Sequence, residues 1–398
     1  MSWPLVSLDD VSVHIRNGAS IKQSSDMAGL PITRIETIAN REINLDKCGY
    51  ADVGGNEFLG HRLGSGDILI SHINSEKHLG KCAIYEGFRD DIIHGMNLLC
   101  LRPKQEIVFP RFLFHYLSSS VFLQMIPAIT KKSVNQASFT VTAFKFLKIP
   151  LPPLPEQQRI AAILDKADAI RRKRQQAIQL ADDFLRAVFL DMFGDPVTNP
   201  KGWYTDSLLS HGSFKNGLNY GRGDSGVSIK CLGVGDFKAL KSISDMSTLS
   251  TLELNSLPSH DYLLKDGDLV FVRSNGNKAL VGRCITIYTN EEQVTFSGFC
   301  IRYRVSSHEI LPEYLNYLFR TPSMKKSMLQ GGQGANIQNI NQKILSEISI
   351  PIPPSKMQKQ FINIVKRFDK TLNKNTNSEY YTAQIFDSLS QQAFSGKL

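Results

Sequence analysis

The chain has 398 residues, of which 42% are hydrophobic and 21% charged, a composition that excludes a disordered protein and predicts two or three globular domains. No run approaches the roughly eighteen apolar residues of a membrane span, and the first residues, "MSWPLVSLDD", do not resemble a signal peptide, so a cytoplasmic protein without membrane contact is expected. The net charge of +9 favours a polyanionic partner such as nucleic acid, although many other proteins are equally basic.

The first 150 residues read as a β-rich domain with one short helix. Strand segments such as "GDILISHI" and "LCLRPK" are short and are bounded by Gly, Asn and Asp. A helix is predicted at Pro110–Gln124, because proline is well tolerated at the first helical position. We therefore expect an α+β domain over residues 1–150.

A proline-rich segment, "IPLPPLPEQQRIAAIL" (Ile149–Leu164), leads into a long helix that "FGDP" (Phe193–Pro196) ends. Beyond the prolines, apolar and small residues recur at alternating intervals of three and four positions over four heptads, so that they line one face of the helix. One arginine interrupts this series. A single helix lying on a domain would also be amphipathic, but so long and narrow a stripe favours pairing with a second helix. The positions are Ile160, Ile163, Ala167, Ile170, Arg174, Ala177, Ala181, Phe184 and Val188.

The second half of the chain repeats the first. "IPIPPSKMQKQFINIV" begins 201 residues after its first copy, "GDLV" (Gly267–Val270) matches "GDIL" at the same offset, and Trp203 matches Trp3. A second short helix is predicted at Pro312–Leu329. Because the landmarks keep their order, the chain is a two-fold duplication of a long unit. We predict β-rich domains at 1–150 and 197–351, and helical regions at 151–196 and 352–398.

The second helical region carries the same spacing at Phe361, Ile364, Phe368, Thr371, Asn375, Ser378, Thr382, Ile385 and Leu389. An antiparallel pair lets the first helix leave one domain and the second return. The polar residues Arg174 and Asn375 would then lie opposite each other and fix the register, although a parallel pair would also bring them together, so this detail favours pairing and not its direction. The predicted fold is therefore α+β, with two duplicated β-rich domains separated by a pair of long antiparallel coiled-coil helices. At ~1.5 Å per residue such helices span about 48 Å, somewhat more than one turn of B-DNA.

Basic and amide side chains gather in three pairs of corresponding loops. Arg and Lys suit guanine edges and phosphates, and Asn and Gln suit adenine edges. Any one of these residues is more often a solvated loop residue, but three matched loop pairs in a basic duplicated chain favour DNA recognition, and their divergence favours an asymmetric site. The candidates are Arg16, Lys22, Arg34, Ser71, Asn74, Lys77, Lys131, Lys132, Asn135, Lys215, Asn219, Arg222, Arg273, Asn275, Asn277, Lys278, Gln333 and Asn336.

Catalytic motifs are not found in the sequence. There is no GxxxxGK[ST], GxSxG or HExxH segment, and "GVGDF" (Gly233–Phe237) lacks a third glycine and reads as a turn. The six cysteines form no CxxC and the nine histidines do not cluster at ligand spacing, so reduced packed thiols and no metal site are predicted. We therefore assign no catalytic, cofactor-binding or metal-binding residue and expect a binding protein.

Two β-rich domains, each followed by a proline run and a long helix, together with "AVFLDMFGDP" at the end of the first helix, resemble the specificity subunit of type I restriction–modification enzymes over the whole chain. The resemblance implies two target recognition domains that read a split, asymmetric sequence in double-stranded DNA, with helices that set the spacer. It also implies docking of two methyltransferase subunits and of motor-nuclease subunits, which would use S-adenosylmethionine, ATP and Mg²⁺. The second proline run has Ser355-Lys356-Met357 where the first has Leu154-Pro155-Glu156, so equal docking at both ends does not follow.

Three other functions fit parts of the pattern. A stand-alone sequence-specific DNA-binding protein or repressor would bind its site without partners. The recognition part of a nuclease would show metal-dependent cutting, and a structural protein with protein-binding domains would show no salt-dependent DNA affinity.

Overall fold

The computed structural model describes residues 3–24, 29–38, 41–133, 136–221, 223–237, 241–330, 339–376 and 379–398, with the side chains of residues 371–385 excepted. The chain forms two compact units. Unit 1 comprises Met1–Gln175 and Asn377–Leu398, and unit 2 comprises Gln176–Thr376. The boundaries of the units thus fall inside the predicted helical regions.

Unit 1 is built on a four-stranded antiparallel sheet of order β2-β8-β5-β7, beside sheets β6-β10-β9, β1-β11 and β3-β4. Its strands are β1 (Leu5–Ser7), β2 (Ser12–Asn17), β3 (Leu30–Ile32), β4 (Gly49–Ala51), β5 (Ile68–Ser71), β6 (Ile73–Asn74), β7 (Cys82–Ile84), β8 (Leu98–Pro103), β9 (Lys131–Lys132), β10 (Ala137–Ser138) and β11 (Lys148–Pro150). Its domain helices are α1 (Pro110–Leu117), α2 (Ser120–Leu123), α3 (Ile126–Ile129) and α4 (Val141–Lys145), with 3-10 turns at Ile35–Ile38, Leu45–Lys47, Leu59–His61 and Glu76–His78. A single long helix, α5 (Leu154–Phe193), follows and continues into unit 2.

Unit 2 repeats this plan with a five-stranded sheet of order β13-β20-β17-β18-β15, beside sheets β16-β14-β19 and β12-β21. Its strands are β12 (Thr205–Ser207), β13 (Gly212–Asn216), β14 (Val227–Leu232), β15 (Ser242–Ile243), β16 (Ser250–Leu254), β17 (Asp268–Val272), β18 (Cys284–Ile287), β19 (Val294–Phe296), β20 (Cys300–Val305) and β21 (Ser349–Pro351). Its helices are α6 (Pro312–Phe319), α7 (Pro322–Gln330), α8 (Gln342–Ser346) and α9 (Ser355–Thr376), with 3-10 turns at Leu208–Ser210, Val234–Phe237, Met246–Thr248 and His260–Tyr262. The last helix, α10 (Glu379–Phe394), belongs to unit 1.

The short helix predicted in each half is in fact two helices. In unit 1, α1 ends at Leu117, and the hydroxyl of Ser119 accepts a hydrogen bond from the Phe122 N–H at 3.2 Å and starts α2. Thr321, the corresponding residue of unit 2, accepts from the Met324 N–H at 3.4 Å and starts α7. An N-cap hydroxyl inside an apolar segment thus breaks both helices at the same place.

The first glutamine of "PEQQ" explains the repeated proline segment. Gln157 is fully buried; its Oε1 accepts from the Phe109 N–H at 2.7 Å, and its amide donates to Ile107 O at 3.1 Å and Pro152 O at 2.7 Å. Gln358 makes the same three bonds in unit 2, to Leu311 N, Glu309 O and Pro353 O, at 2.8 to 2.9 Å. We call these two sets of bonds the glutamine clamps. Each joins the start of a long helix to the start of α1 or α6.

A buried ion pair is also duplicated. In unit 1, Asp67 is 1% exposed and receives two hydrogen bonds of 2.7 Å from Arg102. In unit 2, Asp268 is 1% exposed and receives two bonds of 2.7 Å from Arg304. Both pairs join adjacent strands of the main sheet, so the duplicated sequence preserves polar contacts inside the scaffold as well as its apolar pattern.

The long helices run antiparallel within each unit. In unit 1, Arg171 lies over the Phe386 ring at 5.9 Å, and Arg159, earlier in α5, donates to Leu398 O at 2.9 Å. In unit 2, the Phe184 and Phe368 rings stack at 5.1 Å. Phe193, later in α5, contacts Phe361, earlier in α9, with centroids 5.7 Å apart. Residues later in α5 therefore meet residues earlier in the second helical region, as expected for an antiparallel pair.

The buried stripe of α5 differs from the predicted one. Its apolar and small members are Ile160, Ala161 and Leu164 in unit 1, and Ala181, Leu185, Phe189 and Phe193 in unit 2. Of the predicted positions, Ile163 and Arg174 are half-buried, while Ile170 is 62% and Phe184 49% exposed, so Ile170 is wrong as a covered position. The reason is that each end of α5 packs on a domain core as well as on the partner helix, so the buried face follows rows of four residues.

Of the predicted partners in the second helix, Phe361 is fully buried, and Ile364 and Phe368 are half-buried. The side chains of Asn375 and Ile385 lie outside the described residues, so the pairing of Arg174 with Asn375 stays a prediction. All six cysteines are free thiols; five are buried, and burial raises the pKa of Cys82 to about 11 and of Cys231 to about 12.

Within the described part of the chain, no single helix has both the length and the apolarity of a membrane span. One bent pair, Pro110–Leu117 with Ser120–Ile129, reaches that length and apolarity only when joined. Its apolar residues, including Phe112, Leu117 and Phe122, lie in the core of unit 1.

Candidate nucleic-acid interface

Two of the three predicted loops of unit 1 meet in the small sheet β6-β10-β9. Phe139 N–H donates to His72 O at 3.1 Å, and Ala137 is paired on one side with Asn74 and on the other with Lys132. Lys131, Lys132 and the neighbouring Lys77 are exposed, Asn74 is half-buried, and Lys132 forms an ion pair of 2.7 Å with Glu76. The sheet and the turn beside it therefore present three lysines from two separate segments of the chain.

The corresponding loops of unit 2 are joined in the same way. Ile340 N–H donates to Arg273 O at 3.0 Å, and Ser274 forms a bridge with Asn339. The loop that follows is shaped by its own amides: Asn275 Oδ1 accepts from Asn277 N–H at 2.7 Å, and Asn277 Oδ1 accepts from Ala279 N–H at 3.0 Å. Asn275 and Asn277 thus hold the turn itself through their carbonyl oxygens, while their NH₂ groups form no hydrogen bond with the part of the chain that the structure describes.

Arg273 and Lys278 are the cations of this loop. Lys278 is exposed and Arg273 is half-buried. Neither side chain forms an ion pair or hydrogen bond with the part of the chain that the structure describes. The main-chain N–H and C=O groups of Arg273 are both hydrogen-bonded, which fixes the residue. Its guanidinium has the donor geometry that a guanine edge or a phosphate requires.

Two predicted contacts are corrected. Ser71 is only 2% exposed, and its hydroxyl accepts from Asn74 Nδ2 at 3.3 Å, so the prediction that it reaches DNA is wrong. Arg34 is half-buried and already engaged: its Nε donates to Gln23 Oε1 at 2.6 Å and its Nη2 to Ser24 O at 3.3 Å. Arg34 holds a loop in place, and we remove both residues from the proposed DNA contacts.

The remaining loop candidates are placed as follows. Lys22 and Asn219 are exposed, each after the first strand of its domain's main sheet. Asn135, Arg222, Gln333 and Asn336 lie outside the described residues, and their proposed roles stay predictions.

Arg16 and Lys215 occupy the same place in the two domains. Arg16 on β2 pairs with Cys100, and Lys215 on β13 pairs with Arg302, the counterpart of Cys100. In each domain the glycine two residues later faces the backbone of another segment: a Cβ at Gly18 or Gly217 would come within 2.3 Å or 2.0 Å of it. The matched "RNG" and "KNG" therefore mark one structural position, which needs glycine because no side chain fits there.

Three histidines near Arg16 were not predicted. His14, His61 and His94 come from separate segments, and the His61 and His94 rings lie 5.8 Å apart. Burial lowers the pKa of His94 to about 3 and, with the charge of Arg16 second, that of His14 to about 4. No sequence motif joins them, but His94 corresponds to the buried Phe296, a mismatch visible once the two halves are aligned. Among the described residues, no group of three or more His, Cys, Asp or Glu side chains suits a metal ion.

Comparison with known proteins matches this architecture. The sequence model of the family described as "Type I restriction modification DNA specificity domain" matches residues 2–180 and 233–380. A chain assigned as the MjaX type I restriction enzyme specificity subunit of Methanocaldococcus jannaschii is 31% identical, over 92% of this chain and 87% of the relative. The EcoKI specificity subunit of Escherichia coli K12 is 25% identical, over 83% of this chain and 75% of the relative.

A solved structure shares the fold. The crystal structure of the type I restriction–modification S subunit of M. genitalium aligns over 98% of this chain and 96% of that chain, with a TM-score of 0.54 and 16% identity. At that identity the likeness concerns the fold alone. The family model covers both halves of the chain, and together with the M. jannaschii relative it settles the assignment. The chain belongs to the type I restriction–modification DNA specificity family.

Proposed function

We infer that the chain is the non-catalytic DNA-recognition subunit of a type I restriction–modification complex, and that its two domains read the two parts of a split, asymmetric site. The observation that carries this inference is that the two units share their scaffold contacts but differ in the loops predicted to contact DNA. The glutamine clamps and the buried Arg–Asp pairs are the same in both units. The loops at Asn74 and Arg273 differ in side chains and in backbone structure, as two domains reading different bases require.

The helical regions would set the distance between the two half-sites. The antiparallel contacts of Phe184 with Phe368 and of Arg171 with Phe386 support a paired helical spacer. Removing one heptad from each helical region should shorten the spacer of the recognised sequence while leaving both half-sites unchanged. An unchanged spacer would contradict this role of the helices.

Methylation and cleavage would belong to other subunits. We propose two methyltransferase subunits using S-adenosylmethionine, and motor-nuclease subunits using ATP and Mg²⁺, with the target adenine flipped into a methyltransferase. The difference between Leu154-Pro155-Glu156 and Ser355-Lys356-Met357 lies at the first turns of α5 and α9, where unequal docking would arise. The stand-alone repressor is not favoured, because the chain belongs to a family of complex-forming subunits.

The direct test is a genome-wide map of N6-methyladenine with and without this gene. Loss of methylation at one split, asymmetric motif of fixed spacing would support the proposal. Exchanging the second domain for that of a relative should then alter only one half of the motif. If methylation is unchanged while the purified chain alone selects a DNA sequence, the stand-alone alternative holds.

Arg273 offers a residue-level test. If its guanidinium holds a guanine through two hydrogen bonds, Arg273→Ala should cost about 1–3 kcal/mol of binding free energy at the cognate site and relax specificity at one base pair. Lys278→Ala, in the same loop, is the matched control for loss of charge alone. A loss for Arg273→Ala that is equal across altered sites would assign Arg273 to a phosphate instead.

A further inference from the structure

We propose that one phosphodiester group of the DNA backbone binds to unit 1 at Arg16, between His14, His61 and His94; we call these residues the Arg16 site. The proposal rests on the DNA-recognition function above and adds a defined anion site in one of the two domains. Contacts to phosphate make up half or more of protein–DNA hydrogen bonds and fix the register of a protein on the duplex.

The guanidinium of Arg16 is the centre of the site. It is half-buried on β2, and its Nε is buried without a hydrogen-bond partner. Its Nη1 faces Gly60: a Cβ atom added at Gly60 would lie 3.9 Å from Nη1. No ion pair joins Arg16 to the residues that the structure describes. A partly desolvated guanidinium without a carboxylate has the donor geometry and the charge that a phosphate group requires.

The histidines supply further unused polar atoms around this cation. His94 is only 1% exposed, and its Nε2 has no partner, while its ring bonds to the backbone of Arg16. The Nε2 atom of His14 is also buried and unpartnered. Because the ring of His94 is neutral and its other nitrogen donates to the Arg16 backbone, His94 Nε2 is an acceptor. The orphaned donor at this place is therefore Arg16 Nε, which a phosphate oxygen would satisfy.

The charge around the site is positive once the existing ion pair is counted. The charged and titratable groups facing the histidines are Arg16, Arg102 and Asp67, besides the histidines themselves. Asp67 already receives two hydrogen bonds from Arg102, so its charge is matched. Burial and the charge of Arg16 hold the histidine pKa values down, and an anion beside them would relieve the second of these effects.

Unit 2 has the same position but not the same site. Lys215 replaces Arg16, and its Nζ lies 3.5 Å from Asp261 and 4.6 Å from the centroid of the Tyr262 ring. Asp261 and Tyr262 correspond to Gly60 and His61, while the fully buried Phe296 replaces His94. Unit 2 thus has the carboxylate of Asp261 where unit 1 has a glycine, and aromatic rings without a basic nitrogen, Tyr262 and Phe296, where unit 1 has histidines. Only the unit 1 position keeps an unmatched cation.

The test compares Arg16→Gln with Lys47→Gln in the full chain assembled with its methyltransferase subunits. Lys47 is an exposed cation of the same unit that is not among the proposed DNA contacts. For a duplex carrying the cognate site, the negative slope of the logarithm of the association constant against the logarithm of salt concentration should become shallower by about one in Arg16→Gln. It should stay unchanged in Lys47→Gln. Replacing phosphates one at a time by neutral methylphosphonates should reveal one position that weakens the wild type about tenfold and leaves Arg16→Gln unaffected. Equal slopes for Arg16→Gln and the wild type would overturn the proposal.

A second measurement separates this proposal from the proposed function. Inorganic phosphate should raise the Tm of the full chain alone and of Lys47→Gln, but not of Arg16→Gln, whether or not the assembled complex binds DNA. If the wild-type complex shows no salt-dependent DNA binding, the proposed function fails while this shift still reports the anion site. A phosphate shift that depends on Arg16, with no change in the DNA salt slope, would assign the site to a free anion and overturn the backbone contact.

Discussion

Unit 1 and unit 2 share the contacts that organise the backbone and differ on the sheet face that carries Arg16 or Lys215. Gln157 and Gln358 each satisfy three main-chain groups, because one side-chain amide carries both an acceptor oxygen and two N–H donors. On the sheet face, by contrast, His94 stands where Phe296 stands, and Gly60 where Asp261 stands. The comparison teaches that contacts to buried backbone groups persist through a duplication, because losing one leaves an unsatisfied group, whereas a half-open face tolerates different chemistry.

The largest effect should come from removing a glutamine clamp. Gln157→Met should lower the free energy of unfolding of unit 1 by about 3 kcal/mol, since it leaves an N–H and two carbonyl groups buried without partners. Gln158→Met, at the exposed neighbouring position, should change it by less than about 0.5 kcal/mol. Denaturant unfolding with a probe in each unit measures both, and Gln358→Met should show the same loss in unit 2. Equal effects of Gln157→Met and Gln158→Met would break the comparison.

The duplicated ion pair comes next. Asp67→Ala should lower the free energy of unfolding of unit 1 by about 2 kcal/mol. It leaves the Arg102 guanidinium without its carboxylate, and it removes the Oδ2 atom to which the Gly64 N–H donates at 2.8 Å. Arg102 is 36% exposed, which keeps the cost below that of a fully buried pair. Asp91→Ala, which breaks the exposed pair with Arg89, is the control and should cost less than about 1 kcal/mol. Thermal unfolding of the three proteins gives the comparison.

Acid stability should distinguish the two faces. The His94 pKa is about 3 in the folded state, against about 6.5 when unfolded. Between these two pH values His94 is protonated in the unfolded chain and neutral in the folded chain. Stability is therefore lost as the pH falls from 6.5 towards 3. Between about pH 8 and about pH 5.5 the loss from His94 amounts to about 1.4 kcal/mol.

The substitution that mirrors unit 2, His94→Phe, should remove this part of the acid sensitivity, whereas Phe296→His should introduce it into unit 2. Unfolding curves at both pH values measure the difference. An acid loss that is the same in the wild type and in His94→Phe would show that His94 is protonated in the folded protein.

The smallest effect should come from the helix pair. Phe184→Ala should destabilise unit 2 by about 1 kcal/mol, because the ring is stacked on Phe368 although it is 49% exposed. Leu180→Ala, one turn earlier and 69% exposed, is the control and should have almost no effect. If the two variants lose the same stability, the ring stack contributes nothing beyond ordinary surface area.

The site could be predicted only in part. The loops at Asn74 and Arg273 follow from local composition, and their pairing with the loops at Lys132 and Asn339 agrees with the matched positions in the two halves. Ser71 and Arg34 failed as predicted contacts, because residue type says nothing about whether a side chain points inward or is already bonded. The histidines around Arg16 were missed for a related reason, since they come from three segments that only backbone contacts bring together: His94 N–H donates to His61 O at 2.9 Å, and Ala19 N–H donates to His94 O at 2.8 Å.

The amino-acid sequence by itself determined the duplication, the helix that follows each proline run, and the family. These are properties of local order: a proline run stops a strand, and a three-and-four spacing makes one face of a helix, whatever lies far away in the chain. Tertiary structure alone decided which residues of α5 are buried, which glutamine of "QQ" closes the clamp, and which of two equivalent cations remains unpaired. Those outcomes depend on contacts between segments tens of residues apart, whose geometry is set by sheet register and core packing.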